Sequence, residues 1–234
     1  MSAPARQATG AIAGTTSASP VWPTHVADDV GLLIVETETL QALTFSGAGG
    51  SGWTQIGTAQ AGLGGSHGST LYLYWKRAAS GAEASPVITP AAGDHCFAQI
   101  VTFRGCVASG DPVDVTAGDA TLAASTSVTI PGATTTGPDR LVVAVGSSGT
   151  DTTTPQFSAF ANSSLSDFSQ WFESRRSFAD GGGWAVATGG FLGTGTYGAT
   201  TATLASSAGQ GRISFALIPL VVASLLIGAT AGDE

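Results

Sequence analysis

The stretch Thr70-Leu71-Tyr72-Leu73-Tyr74-Trp75-Lys76-Arg77 decides the fold class. Leu71, Leu73 and Trp75 alternate with Tyr72, Tyr74 and Lys76, so an extended chain sends the two sets to opposite faces. Upstream, 31–38 is a dense Leu/Ile/Val run of strand length, too short and too β-branched to favour a helix. Further strands are expected at 53–59, 86–89, 96–104, 113–116, 127–130, 141–146, 184–188, 197–204 and 212–218. Glycine-rich turns such as 46–52 and 62–69 separate them. Only 162–175 carries a helical signal, a short turn capped by Ser164 or Ser166 with Asp167 following. Many short strands between Gly/Pro turns predict an all-β chain, a jelly-roll-like β-sandwich.

A pattern in the chain occurs twice. Trp22-Pro23 leads through Asp28-Asp29 into Leu32-Leu33-Ile34-Val35, and Ile130-Pro131 leads through Pro138-Asp139 into Leu141-Val142-Val143-Ala144-Val145. Leu73-Tyr74-Trp75 is answered by Gly182-Gly183-Trp184, with Trp75 and Trp184 109 positions apart. The repeat divides a 21–219 sandwich into similar halves, about 21–106 and 127–219. Residues 1–20 are an N-terminal arm or first edge strand, and 220–234 an apolar tail.

The 234 residues are enough to bury a core without a disulfide or metal staple. Charged residues make up only 10%, which suits a surface packed against neighbouring subunits, where charge is costly to bury. The net charge of −8 and the single lysine, Lys76, exclude a phosphate-backbone binder, so no nucleic-acid partner is expected. Cys96 and Cys106 bracket an apolar run whose ends lie roughly 33 Å apart if it is one strand. A disulfide needs Cα atoms within about 7 Å. Free thiols follow, as in a reducing compartment.

Residues 1–20 lack the apolar core of a signal peptide. The segment 213–229 approaches the length of a membrane span, but Pro219 interrupts it and acidic residues follow. Two strands broken at Pro219 are expected, and no membrane span.

Several motifs fail on context. Gly64-Gly65-Ser66-His67-Gly68 has the G-x-S-x-G pattern, yet the nucleophile elbow needs a strand before it and a helix after it. Gly193-Thr194-Gly195-Thr196-Tyr197-Gly198 has the G-x-G-x-x-G pattern, but a strand-like segment follows where a dinucleotide site needs a helix. His25, His67 and His95 lack metal-ligand spacing, and Asp94-His95-Cys96 cannot converge on one face of a strand. Asp111, Asp114 and Asp119 lack the density of a calcium loop. Asn162-Ser163-Ser164 is a glycosylation sequon only if the chain is secreted. No catalytic residue, metal or cofactor is expected.

Tyr72, Tyr74 and Lys76 form the candidate contact for a glycan or a second subunit, although core packing accounts for the aromatics as well. Leu220, Val221, Val222, Leu225, Leu226 and Ile227 form the candidate assembly contact, since a lone soluble domain would not leave them exposed.

These residues also carry a resemblance. Trp22-Pro23-Thr24-His25, Ala27-Asp28-Asp29, Gly52-Trp53, Tyr74-Trp75-Lys76-Arg77-Ala78 and Phe103-Arg104-Gly105 resemble segments of a group of tailed-bacteriophage virion proteins. In the second half, Pro138-Asp139-Arg140-Leu141-Val142-Val143, Gly183 to Gly189 and Ala216-Leu217-Ile218-Pro219 fit the same group. The resemblance covers roughly 20–219, and the apolar tail departs from it. It implies a non-enzymatic β-sandwich serving as a decoration, tail or fibre subunit in the virion, assembled in the host cytoplasm. The implied partners are other virion proteins and copies of itself. A receptor- or glycan-binding module of a fibre, facing a host surface glycan, is the alternative.

Overall fold

The computed structural model describes residues 3–65 and 67–221. Eighteen strands, and no helix among the described residues, make the chain all-β. The first eight are β1 (Ala5–Thr9), β2 (Val30–Thr37), β3 (Leu43–Ser46), β4 (Thr54–Gln55), β5 (Gln60–Gly62), β6 (Ser69–Arg77), β7 (Val87–Pro90) and β8 (Phe97–Arg104). The next five are β9 (Val113–Ala120), β10 (Ser125–Ile130), β11 (Thr134–Thr135), β12 (Arg140–Ser148) and β13 (Phe157–Ala161). The last five are β14 (Ser166–Arg176), β15 (Gly182–Phe191), β16 (Gly195–Thr196), β17 (Thr200–Ala208) and β18 (Gly211–Leu217).

Two antiparallel main sheets face each other. One runs β1-β8-β2-β6-β4, with β5 also on β6, and the other β9-β18-β12-β15-β14. Their inward side chains form the central core. Leu32, Ile34, Leu71, Leu73, Phe97, Val101 and Phe103 come from the first sheet, and Val143, Val145, Trp184, Val186, Ile213 and Phe215 from the second. Each sheet is also covered on its outer face. Ala18, Trp22, β3 and β7 close over Leu33, Val35, Tyr72 and Ile100 of the first sheet. The small sheet β10-β17-β13 closes over Ala144 and Ala185 of the second. Burial on both faces explains why β2 and β12 are apolar runs instead of alternating ones: every residue in both strands is buried.

The two strand orders are the same order. The chain fills β8-β2-β6 and then β18-β12-β15, with β1 and β9 on the matching edges and the outer pairs β3-β7 and β13-β17 in matching places. Even the bridge between Ala18 and Ile88 of β7 has its counterpart in the pairing of β10 with β17. Residues 5–20 therefore belong to the first set of strands. Each main sheet is drawn from a single half of the chain, so these orders do not carry the finer jelly-roll expectation.

The repeat holds for strands and fails for one pair of residues. Trp75 stands opposite Leu32 near the start of β2, whereas Trp184 stands opposite Ser147 near the end of β12. The place of Trp75 is taken by Gly190, the partner of Leu141. The shared 109-residue step of the two tryptophans is coincidental.

Residues 162–175 correct a second expectation. Instead of a helical turn, they lead into β14, an eleven-residue edge strand. Cys96 and Cys106 are free and buried at either end of β8, as the extended run requires. Among the described residues no helix is long and apolar enough to cross a membrane. After β18 the chain makes a bridge from Pro219 to Cys106, consistent with a break at the proline.

Candidate functional site

Polar side chains gather at one end of the sandwich, where β2 and β12 finish and β6, β15 and β18 begin. Glu36 lies there with no exposed surface. The Ser69 hydroxyl donates to its Oε1 at 2.9 Å, and His95 Nε2 lies 3.0 Å from its Oε2. Ser69 also lies 2.8 Å from the Ser147 hydroxyl, which accepts from the backbone N–H of Gly211 at 3.2 Å. Arg175, from edge strand β14, donates to Ser148 Oγ at 3.0 Å and to the Thr150 carbonyl at 2.9 Å. The network thus stitches β2, β6, β12, β14 and β18 of both sheets.

Burial penalises the charge on Glu36 and raises its pKa, even though His95, Ser69 and Arg175 pull the other way. Burial works against an imidazolium at His95, but the hydrogen bond and charge of Glu36, with Asp94 and Glu38, outweigh it and raise that pKa also. Both shifts favour holding protons. The other nitrogen of His95 lies 2.7 Å from Asp94 Oδ1, misaligned for a hydrogen bond.

The order of groups decides against hydrolytic chemistry here. In a nucleophilic triad the imidazole stands between hydroxyl and carboxylate. Here the carboxylate stands between Ser69 and His95, so the imidazole does not contact the hydroxyl and the triad order is not met. Ser69, Glu36 and His95 are also fully buried. The arrangement satisfies buried polar groups and fixes the loops around them.

Outside this network the loops carry His67, Glu38 and Asp180. His67 Nδ1 lies 3.0 Å from Asp180 Oδ2 and 3.9 Å from Glu38 Oε1. Beside them is a cavity of about 300 Å³ lined by His67, Gly149, Thr150, Asp151, Ser206 and Ser207. Ser66, of the G-x-S-x-G pattern, lies outside the described residues.

The sequence candidates sit elsewhere. Tyr72 is 3% exposed and enclosed under the outer layer; its hydroxyl accepts from the Gln41 N–H at 2.6 Å and donates to the Gln41 carbonyl at 3.0 Å. No ring face is left for a sugar or a neighbouring subunit, so core packing accounts for this residue. Tyr74 is half-buried with its ring edge-on to Phe45, and Lys76 Nζ pairs with Glu83 at 2.8 Å. Leu220 and Val221 are 37% and 64% exposed. Val222, Leu225, Leu226 and Ile227 lie outside the described residues.

The three aspartates do not converge. Asp111 caps the Val113 N–H, Asp114 takes Thr136 and Arg140, and Asp119 pairs with Arg212. The glycine pattern at 193–198 runs straight into β17. Asn162 is buried and donates to Gly198 and Thr200. The polar end itself had one sequence signal: an acidic residue, Glu36, near the end of a strand that is apolar up to that point.

Comparison with family models, curated proteins and solved structures gave no match for this chain.

Proposed function

We propose that this chain is a non-enzymatic structural subunit of a tailed-phage virion, of decoration, tail or fibre type, that associates with copies of itself or with neighbouring virion proteins. The observation carrying this reading is how the chain leaves the sandwich. The Leu220 N–H donates to the Gly105 carbonyl at 2.7 Å, which fixes the backbone against the end of β8. From there Leu220 and Val221 turn their side chains to solvent at the head of the apolar sequence 220–228. An apolar run presented from a fixed anchor fits a neighbour's groove or sheet edge.

Two further features support it. The outer layers cover much of both main sheets, which leaves sheet edges and the exposed Leu220 and Val221 as contact surfaces. The sparse charge removes most electrostatic cost of packing subunits together. The glycan-binding alternative loses its strongest carrier, since Tyr72 is enclosed.

Light scattering after size exclusion tests the reading. The full chain is expected to be a trimer or larger, and the double variant Leu220→Asp, Val221→Asp to be a folded monomer. A full chain that stays monomeric alone, and also fails to bind phage particles lacking this subunit, would remove the proposal.

A further inference from the structure

Glu38, His67 and Asp180 present one oxygen, one nitrogen and one oxygen, all within 4.8 Å of one another. Among the described residues, neither carboxylate has a lysine or arginine partner. We infer that these three side chains bind one divalent transition-metal cation of zinc type. The inference is independent of the virion reading.

Geometry and ligand chemistry carry it. Zinc bonds to imidazole and carboxylate are about 2.0–2.2 Å, so adjacent ligands of a tetrahedral ion stand about 3.3 Å apart. The two separations from His67, 3.0 Å and 3.9 Å, bracket that spacing; the two carboxylate oxygens lie within 4.8 Å of each other, and a rotation of the Glu38 side chain would close the remainder. One imidazole among the ligands points away from calcium and magnesium, which take oxygen almost throughout. His67 also lines the adjoining cavity, which leaves room for a water as a further ligand.

The loops are held in place before any ion arrives. The Asp180 N–H donates to Asp94 Oδ2 at 3.1 Å, fixing the backbone that carries one ligand. Gly149 lets the His67 loop close: a Cβ there would lie 2.1 Å from the Gly68 carbonyl oxygen and 2.8 Å from that of His67. Asp151 packs against Gly181, next to Asp180, and adds a further carboxylate beside the site. Glu38 and His67 flank β2 and β6, while Asp180 joins β14 to β15. An ion here ties the two halves of the chain together.

The test uses the full chain stripped with EDTA and titrated calorimetrically with zinc chloride. One saturable site per chain is expected. At a hundredfold excess over Kd the Tm should rise by roughly 5–10 °C. His67→Ala and Asp180→Asn should each abolish the site, and His25→Ala should leave it. Calcium chloride should give a smaller rise. Absent binding, binding undiminished in His67→Ala and Asp180→Asn, or a preference for calcium would overturn the assignment. Should the variants fail to fold, X-ray absorption of the zinc-loaded wild type decides: one imidazole with oxygen ligands supports the site, and thiolate or several imidazoles reject it.

Discussion

The carboxylate of Glu36 and the imidazole of His95 meet at 3.0 Å with neither side chain exposed to solvent. The pair joins the end of β2 to the chain entering β8, and through Ser69 and Ser147 it reaches the opposite sheet. A pair placed so deep makes stability depend on its protons.

Folding raises the pKa of His95, so the native state holds a proton that the unfolded chain releases near pH 6.5. That contribution is complete below about pH 6.5 and is lost as pH rises through the folded value. The raised pKa of Glu36 has the same sign, beginning nearer the ordinary glutamate range. Urea unfolding between pH 6 and 9 should show wild-type stability falling with pH, and His95→Gln should flatten the slope. Parallel curves would mean that the pair does not titrate in this way.

Asp29 behaves oppositely. Burial pushes its pKa up, but the two hydrogen bonds from Arg104, at 2.8 and 2.7 Å, and one from the Val26 N–H hold it below the usual range. A depressed acid contributes fully above about pH 3.8 and loses that contribution as pH falls through its folded value. Arg104→Met should therefore lower the Tm at neutral pH and move acid unfolding, followed by circular dichroism, to higher pH.

Gly31→Ala should destabilise the fold by about 1–3 kcal/mol, although alanine is the better strand residue by backbone entropy alone. A Cβ at Gly31 would stand 2.3 Å from the Trp22 ring, which is itself packed 5.5 Å from the Trp53 ring. Equilibrium urea denaturation measures the cost, and an unchanged midpoint would show that Trp22 moves aside freely.

Burial pushes the thiols of Cys96 and Cys106 up to about 12. Only the thiolate is an effective nucleophile. Neither cysteine should react with a maleimide or an aromatic disulfide at pH 8 in the native protein. Both should react in 6–8 M urea, a range in which domains of this kind unfold. Mass spectrometry counts the adducts.

The central strands were legible because physics left little choice: 31–38 and 141–146 are too apolar for any place but one covered on both faces. The alternation in 70–77 was equally plain, although its outward-looking set proved to be enclosed by a second layer that the strand itself does not encode. Strand β14 was hidden by its own irregularity. Its register slips between Ser166 and Ser169 and again between Gln170 and Phe172, so the period of two never runs long enough to be seen. Glu36, Ser69, His95, Ser147 and Arg175 are scattered along the chain, and only strand pairing brings them to one end. The same holds for Glu38, His67 and Asp180.

That each main sheet comes wholly from one half has a consequence for synthesis. When β8 leaves the ribosome, the first sheet is complete, yet Leu32, Ile34, Leu71, Leu73, Phe97, Val101 and Phe103 lack a complete facing sheet until β18 follows β12 and β15. At about 5–20 residues per second, that interval lasts roughly 6–23 s. During it the nascent chain exposes an apolar face made to receive a sheet of the same strand order. A neighbouring nascent chain offers such a sheet too, so exchange of halves between siblings would compete with closure of each chain on itself.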